Sequence, residues 1–255
     1  MTSFINSNRP ILTAMIKSRK KGDILNEIEK ILDEGTDAFG FQLEIFEEAH
    51  SEENLKDIFQ AMRGKPVYVT NYLRWNADES KKNDDILTEE LYLAAQCGAT
   101  LIDVRGDTFD PCHGELTYKE SAVERQTKFI KELHAIGAEV LMSSHILEFT
   151  PTHTVLEYAL AQQSRGADIA KIVTAANTPE ELNENFRIIT ELKEKLNIPS
   201  LFLCGGECCR RHRLLGPVLG CSMYLVRENS APHDNQPTIK DAKTLLSALE
   251  YSDLP

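Results

Sequence analysis

Residues 154–173 read TVLEYALAQQSRGADIAKIV. Two periodicities meet in this stretch. Thr154–Arg165 carries apolar residues at three- and four-residue steps, the pattern of an amphipathic helix. Ile169–Val173 is a short, β-branched apolar run of strand length. Between them stands Gly166, where a chain leaving a helix wants a left-handed residue and glycine supplies it at no steric cost. The stretch is one helix-to-strand step of a βα repeat.

The same punctuation recurs. Gly35, Gly98 and Gly137 also lie just past a helical pattern and just before an apolar run. The expected strands are Pro10–Ile16, Phe39–Ile45, Pro66–Asn71, Ala99–Val104, Glu139–Ser144, Ile169–Val173, Ser200–Cys204 and Cys221–Val226. Their starts lie roughly 20–40 residues apart, the spacing of βα units. Helical patterns fill the gaps at Asp23–Asp33, Glu53–Met62, Asp85–Gln96, Lys119–Ile136, Pro179–Leu196 and Ile239–Leu249. Asn177-Thr178-Pro179-Glu180-Glu181 is a strong helix start, with a capping hydroxyl, proline at the first position and carboxylates at the positive end of the dipole. An open doubly wound sheet is the competing α/β architecture. The run after the first strand, Met15 to Gly22, matches neither the dinucleotide nor the phosphate-loop template that such a sheet would favour. The expected fold is therefore α/β, a (β/α)8 TIM barrel, with residues 1–255 forming one domain.

Length and charge agree. The chain has 255 residues, which suits one barrel, and 42% hydrophobic with 27% charged residues excludes a largely disordered or fibrous protein. The net charge of -12 repels phosphate backbones, so no nucleic-acid partner is expected. No apolar run reaches the roughly 20 residues of a membrane span, so no membrane partner is expected either. The opening MTSFINSNRPIL lacks a basic start and long apolar core, so no secretory signal is expected. The six cysteines are then expected to be reduced thiols of a cytoplasmic protein.

In a parallel barrel the chemistry sits at the C-terminal ends of the strands. Lys171 interrupts the apolar run Ile169–Val173. It is either an amine whose charge is disfavoured by burial, and so a nucleophile toward carbonyls, or a strand-end lysine whose ammonium reaches solvent. His145 ends the neighbouring strand, where it can shuttle protons or serve as a hydrogen-bonded structural histidine. Arg210-Arg211-His212-Arg213, read as a loop between the seventh and eighth strands, is a basic cluster suited to an anionic group. Ser230-Ala231-Pro232 and Gln236 are short polar groups after the last strand. Glu44 lies in the second expected strand, and Asp103 and Arg105 at the fourth. Asp103 and Arg105 share a face by alternation, and Glu44 with Arg105 could pair inside the mouth, as substrate contacts or as structure. Cys204, Cys208 and Cys209 with His212 have the donor types of a zinc site but lack a paired C-x-x-C spacing, so no metal is expected.

These residues resemble the type I 3-dehydroquinate dehydratase family. The resemblance rests on Ser143-Ser144-His145 with Thr150-Pro151, on Gly166-Ala167-Asp168-Ile169-Ala170-Lys171-Ile172, on Arg213 to Gly220, and on Ser230-Ala231-Pro232 with Gln236. It extends from about residue 10 to residue 250. It implies a (β/α)8 barrel in which Lys171 forms an imine with a ring ketone, and His145 moves the α-proton, helps the β-hydroxyl leave and assists imine formation and hydrolysis. It implies that Arg213, Ser230 and Gln236 hold a carboxylate; Gln42, Glu44, Arg74 and Arg105 are expected as further substrate contacts where the chain departs from the family. The iminium is the electron sink, so no cofactor is implied. A small keto-carboxylate substrate and a homodimer are implied as partners. About nine residues precede the first expected strand, so the extra N-terminal hairpin that family members often carry is not expected among them.

The chain departs from the family pattern in one half of the pocket. Gln42-Leu43-Glu44 stands where family members carry Glu-x-Arg. Tyr72 falls at the family arginine after the third strand, and Arg74 reaches that place only by a shift. The glutamate beside the histidine falls at Asn76, with Asp78 and Glu79 nearby, and Arg105 occupies an acidic position. Ile146-Leu147 replaces Asp-Phe, and His233-Asp234-Asn235 lengthens the loop before Gln236. Three readings follow: a dehydratase turning 3-dehydroquinate into 3-dehydroshikimate, an imine-forming lyase for another hydroxy-keto carboxylate, and a non-catalytic metabolite-binding barrel.

Overall fold

A strand buried on both faces carries few polar residues, and the exceptions mark what the barrel encloses. The computed structural model describes residues 3–73, 83–232 and 234–249. In chain order it contains β1 (Ile11–Met15), α1 (Lys21–Glu34), β2 (Ala38–Gln42), α2 (Glu52–Ala61), β3 (Val67–Thr70), α3 (Asp84–Gln96), β4 (Leu101–Arg105) and α4 (Glu120–Ala135). It continues with β5 (Glu139–His145), α5 (Thr152–Ser164), β6 (Ile169–Ala175), α6 (Pro179–Lys195), β7 (Ser200–Gly205), α7 (Cys209–Gly220), β8 (Met223–Val226) and α8 (Ile239–Ala248). The strands form one parallel sheet in the order β7-β6-β5-β4-β3-β2-β1-β8. β8 comes back beside β7, where the Ser222 amide donates to the Ser200 carbonyl at 2.8 Å. The result is a nearly closed (β/α)8 barrel, as the sequence pattern required.

Alternation along the strands separates two apolar layers. Phe39, Phe41, Val67, Val69, Ile102 and Val104 face outward and are buried under the helices. Ile11, Leu101, Leu141, Ile169, Leu201 and Met223 face inward and pack as a second cluster. Each such side chain contributes about 1.5–3 kcal/mol through burial. Two residues farther along the same inward face stand Thr13, Asp103, Ser143, Lys171, Leu203 and Leu225. The polar members of that layer from β4, β5 and β6 are therefore neighbours.

Two local expectations need correction. β2 stops at Gln42, and Leu43–Ile45 form a short 3₁₀ turn instead of continuing the strand. Arg210–Arg213 are not loop residues but the first turn of α7. That helix was hidden because it opens on charges and contains Gly216 and Pro217, which remove both apolar periodicity and helix propensity. The cap signals held. Thr178 and Glu181 form a capping box with Pro179 at the first helical position. Gly35, Gly98, Gly137 and Gly166 all adopt positive φ.

Candidate active site

Register brings the central lysine to its partners. Arg105 of β4 pairs with Ser143 of β5, and Ser143 with Lys171 of β6. Asp103 sits one inward position below Arg105. Lys171 is only 4% exposed, so its amine does not reach solvent. Its Nζ donates to Asp103 Oδ2 at 3.0 Å, to the Tyr68 hydroxyl at 3.0 Å and to the Tyr72 hydroxyl at 2.5 Å. Those three bonds use all three protons of an ammonium. Asp103 is held in turn by the Ser143 hydroxyl at 2.5 Å, by Tyr68 at 2.5 Å and by Tyr72. A buried ion pair is tolerated only when its remaining valences are met in this way. Burial alone would raise the Asp103 pKa, but the Lys171 charge and the three hydroxyls outweigh it and hold the carboxyl below its usual range. Burial, reinforced by the Asp103 charge, pushes both phenols well above their usual pKa.

His145 ends β5 with its Nδ1 at 2.5 Å from Glu115 Oε2. The same carboxylate oxygen accepts the His145 backbone amide at 3.2 Å. Glu115 comes from a turn after β4 that sequence reasoning passed over. Gly114 has φ 77 and Glu115 φ 53, two consecutive left-handed residues. A Cβ at Gly114 would meet the Tyr158 hydroxyl at 2.4 Å, so the position admits glycine alone without rearrangement. The left-handed glutamate costs about 1–2 kcal/mol locally, offset by what its carboxylate does at the histidine. Ser144 fastens the turn by donating to the Glu115 carbonyl at 2.8 Å. Burial lowers the His145 pKa, the Glu115 bond raises it, Lys171 lowers it, and the net effect is downward. With Nδ1–H directed at Glu115, the neutral ring keeps its Nε2 lone pair as a base. The Tyr72 ring meets His145 edge-on, with centroids 4.9 Å apart and planes at 82°.

These groups line a cavity of about 260 Å³ at the C-terminal ends of the strands. Lys171, His145, Arg213, Gln236 and Gln42 all face it. Arg213 Nε donates to the Cys204 carbonyl at 3.0 Å and to Cys209 Sγ at 3.2 Å. Its two terminal nitrogens have no partner among the described residues. The guanidinium is thus anchored by one edge and presents its fork, the geometry that receives a carboxylate. Gln236 lines the cavity with a buried side-chain oxygen that lacks a hydrogen bond. Lys17, which the sequence reading passed over, adds a second cation at the rim and is paired with Asp234 at 3.1 Å.

The remaining residues singled out in the sequence lie elsewhere. Ser230 turns its hydroxyl onto Glu228 at 2.9 Å and borders a neighbouring cleft. Glu44 does not meet Arg105, contrary to expectation. The 3₁₀ turn carries Glu44 onto the Thr70 hydroxyl, at 2.9 and 3.0 Å, and onto the Gln42 amide at 3.3 Å. Burial pushes its carboxyl up to about 7. Arg105 finds its anions in Asp84 at 2.7 Å and Asp107 at 3.4 Å. Arg74, with Asn76, Asp78 and Glu79, lies outside the described residues. Tyr68 was legible only as the inward-facing member, with Thr70 and Tyr72, of a period-two pattern.

The family model described as type I 3-dehydroquinase matches residues 13–253. A 3-dehydroquinate dehydratase of Aromatoleum aromaticum is 23% identical over 249 residues, 95% of this chain and 91% of the relative. One from a Geobacillus species is 25% identical over 253 residues, 96% of this chain and 92% of the relative. Among solved structures, the type I 3-dehydroquinate dehydratase of Clostridium difficile, carrying covalently modified comenic acid, aligns with a TM-score of 0.81. The identity there is 18%, over 98% of this chain and 96% of that one.

Proposed function

The chain belongs to the type I 3-dehydroquinase family, and from that premise we propose that it removes water from 3-dehydroquinate to give 3-dehydroshikimate through an imine on Lys171. The observation that carries the reading is a buried lysine beside a carboxylate-fixed histidine, in a cavity that also receives an arginine fork. Lys171 forms a C=N bond with the ring ketone, and water leaves. The iminium withdraws electrons from the adjacent carbon. His145 takes the α-proton there, and the electron pair moves toward nitrogen as an enamine. The pair returns to expel the β-hydroxyl, which departs as water with the proton His145 gained. Hydrolysis of the conjugated iminium frees the product and restores the amine. The chain's own residues carry each proton between substrate atoms, and no cofactor enters this scheme.

Arg213 and Gln236 are assigned the substrate carboxylate, and Gln42 a ring hydroxyl. Glu44 supports that side through Gln42 and Thr70. Ser230 keeps the carboxylate role that the family pattern gives it, and Arg74 and Arg105 are assigned to the rebuilt half of the pocket. The place in metabolism is the shikimate route to aromatic amino acids. We read the whole chain as one catalytic domain, acting as a homodimer in the cytoplasm. Family resemblance carries that part, and light scattering in solution tests the dimer. Among the described residues no helix is long and apolar enough to cross a membrane.

Borohydride trapping tests the chemistry. The protein is incubated with 3-dehydroquinate, reduced and weighed beside its Lys171→Ala variant. A covalent adduct that disappears in the variant is expected. Turnover of another keto acid with no dehydroquinate adduct favours the different-substrate reading, and no adduct with any carbonyl compound favours the binding barrel.

A further inference from the structure

Tyr72 is positioned to do more than fill the site. The argument rests on the imine reading above and starts from proton count. Resting Lys171 is bonded through every proton an ammonium carries. It has no lone pair until one proton leaves. Conversion of an ammonium and a ketone into an iminium and water moves two protons from nitrogen to the departing oxygen, with none taken from outside. Some group must therefore accept from Nζ and deliver to the substrate oxygen.

Asp103 can store such a proton but does not border the cavity, and its side chain is wholly buried. His145 is held through Nδ1 by Glu115 and, besides any help it gives the imine, must also move the α-proton. Tyr68 and Tyr72 both border the cavity and both touch Nζ and Asp103. Tyr72 is the closer, at 2.5 Å from Nζ against 3.0 Å for Tyr68. It also packs edge-on against His145.

We propose that Tyr72 is a catalytic residue of imine formation, relaying protons between Lys171, Asp103 and the substrate's ketone oxygen. In the first pass Nζ gives a proton to the Tyr72 oxygen while the Tyr72 proton moves to Asp103. The freed lone pair forms the C–N bond, and the carbonyl π pair becomes an alkoxide. Asp103 returns the proton through Tyr72 to that oxygen. A second pass takes another proton from nitrogen and delivers it to the hydroxyl. The C–O bond then breaks, water leaves, and the nitrogen pair closes the C=N bond. Asp103 ends as a carboxylate facing the iminium, which is how it began with the ammonium. Burial keeps the phenol protonated at rest, so it passes protons without resting as phenolate. Tyr72 and Asp103 then carry protons beside the nitrogen, while His145 with Glu115 serves the elimination and assists at the imine.

The test is rapid-quench borohydride trapping of wild type, Tyr72→Phe and His145→Ala with 3-dehydroquinate. Wild type must trap, or the imine reading itself fails. Tyr72→Phe is expected to form the trapped imine about 100-fold more slowly. It is also expected to lose the primary isotope effect on turnover of substrate deuterated at the α-carbon, because imine formation then limits the rate. His145→Ala is expected to slow trapping less than Tyr72→Phe does, and not to turn over. Tyr72→Phe trapping at the wild-type rate overturns the proposal. If circular dichroism shows that Tyr72→Phe does not fold, 3-fluorotyrosine at position 72 keeps the shape and changes the acidity of the phenol. A trapping rate indifferent to that replacement overturns the proposal as well.

Discussion

Glu115 Oε2 lies 2.5 Å from Nδ1 of His145, and the contact sets both the tautomer and the basicity of the ring. Replacing the carboxylate by an amide, Glu115→Gln, keeps the shape of the turn but removes the charge that raises the histidine pKa. Burial and Lys171 are then opposed only by the more distant Asp103 charge, and the His145 pKa falls further below its ordinary value. The base is active when neutral, so activity is lost as pH falls through that pKa. The acid limb of kcat/KM should therefore move to lower pH in Glu115→Gln. The plateau should drop by roughly 10²-fold, because the ring is no longer oriented. A pH–rate profile reads both, and an acid limb that stays in place would show that Glu115 does not tune the base.

The Lys171–Asp103 pair predicts an asymmetry in stability. Lys171→Met leaves the Asp103 carboxylate buried among two phenols and a serine with no cation. That should destabilise the fold by about 3–5 kcal/mol. Adding Asp103→Asn removes the stranded charge and should recover most of the loss. Urea unfolding of the two variants checks this, and a double variant no more stable than the single one would mean that the charge was not the cause.

What the sequence made legible follows from which physics is local. Glycine caps, strand length and the capping box at Thr178 are decided by neighbours in the chain, so eight strands and seven of the helices that follow them could be read directly. Lys171 and His145 stood out because a polar residue in a doubly buried strand is costly. Glu115 could not be found that way. It reaches His145 from 30 residues away through a turn whose only local mark is Gly114. Glu44 was assigned to a strand because the apolar run continues to Ile45, while the backbone turns after Gln42. Arg213 was identified and its helix was not, because Gly216 and Pro217 mask the periodicity.

Arg213 offers its fork while its Nε is anchored by Cys204 and Cys209. Arg213→Lys keeps the charge and loses both the anchor and the bidentate geometry. KM for dehydroquinate should rise roughly 10–100-fold, with a smaller fall in kcat, because the carboxylate is bound in both ground and transition states but sits on the carbon that loses the hydroxyl. Steady-state kinetics separate the two parameters. A fall in kcat at unchanged KM would place Arg213 in the chemistry instead.

Glu44 makes stability depend on pH. Burial, opposed by its bonds to Thr70 and Gln42, moves its pKa from 4.5 to about 7. A carboxyl whose pKa is raised by folding favours the folded state in its protonated form. Its contribution is complete below the unfolded value near 4.5 and is lost as pH rises through the folded value near 7. Glu44→Gln stays neutral and keeps a hydrogen-bonding partner for Thr70. The stability of Glu44→Gln relative to wild type should therefore increase with pH across that window, by roughly 3 kcal/mol in all. Urea midpoints at about pH 5, 6, 7 and 8 trace the difference. If it is flat, the carboxyl ionises without penalty, and the neighbourhood of Gln42 and Thr70 is wetter than its burial implies.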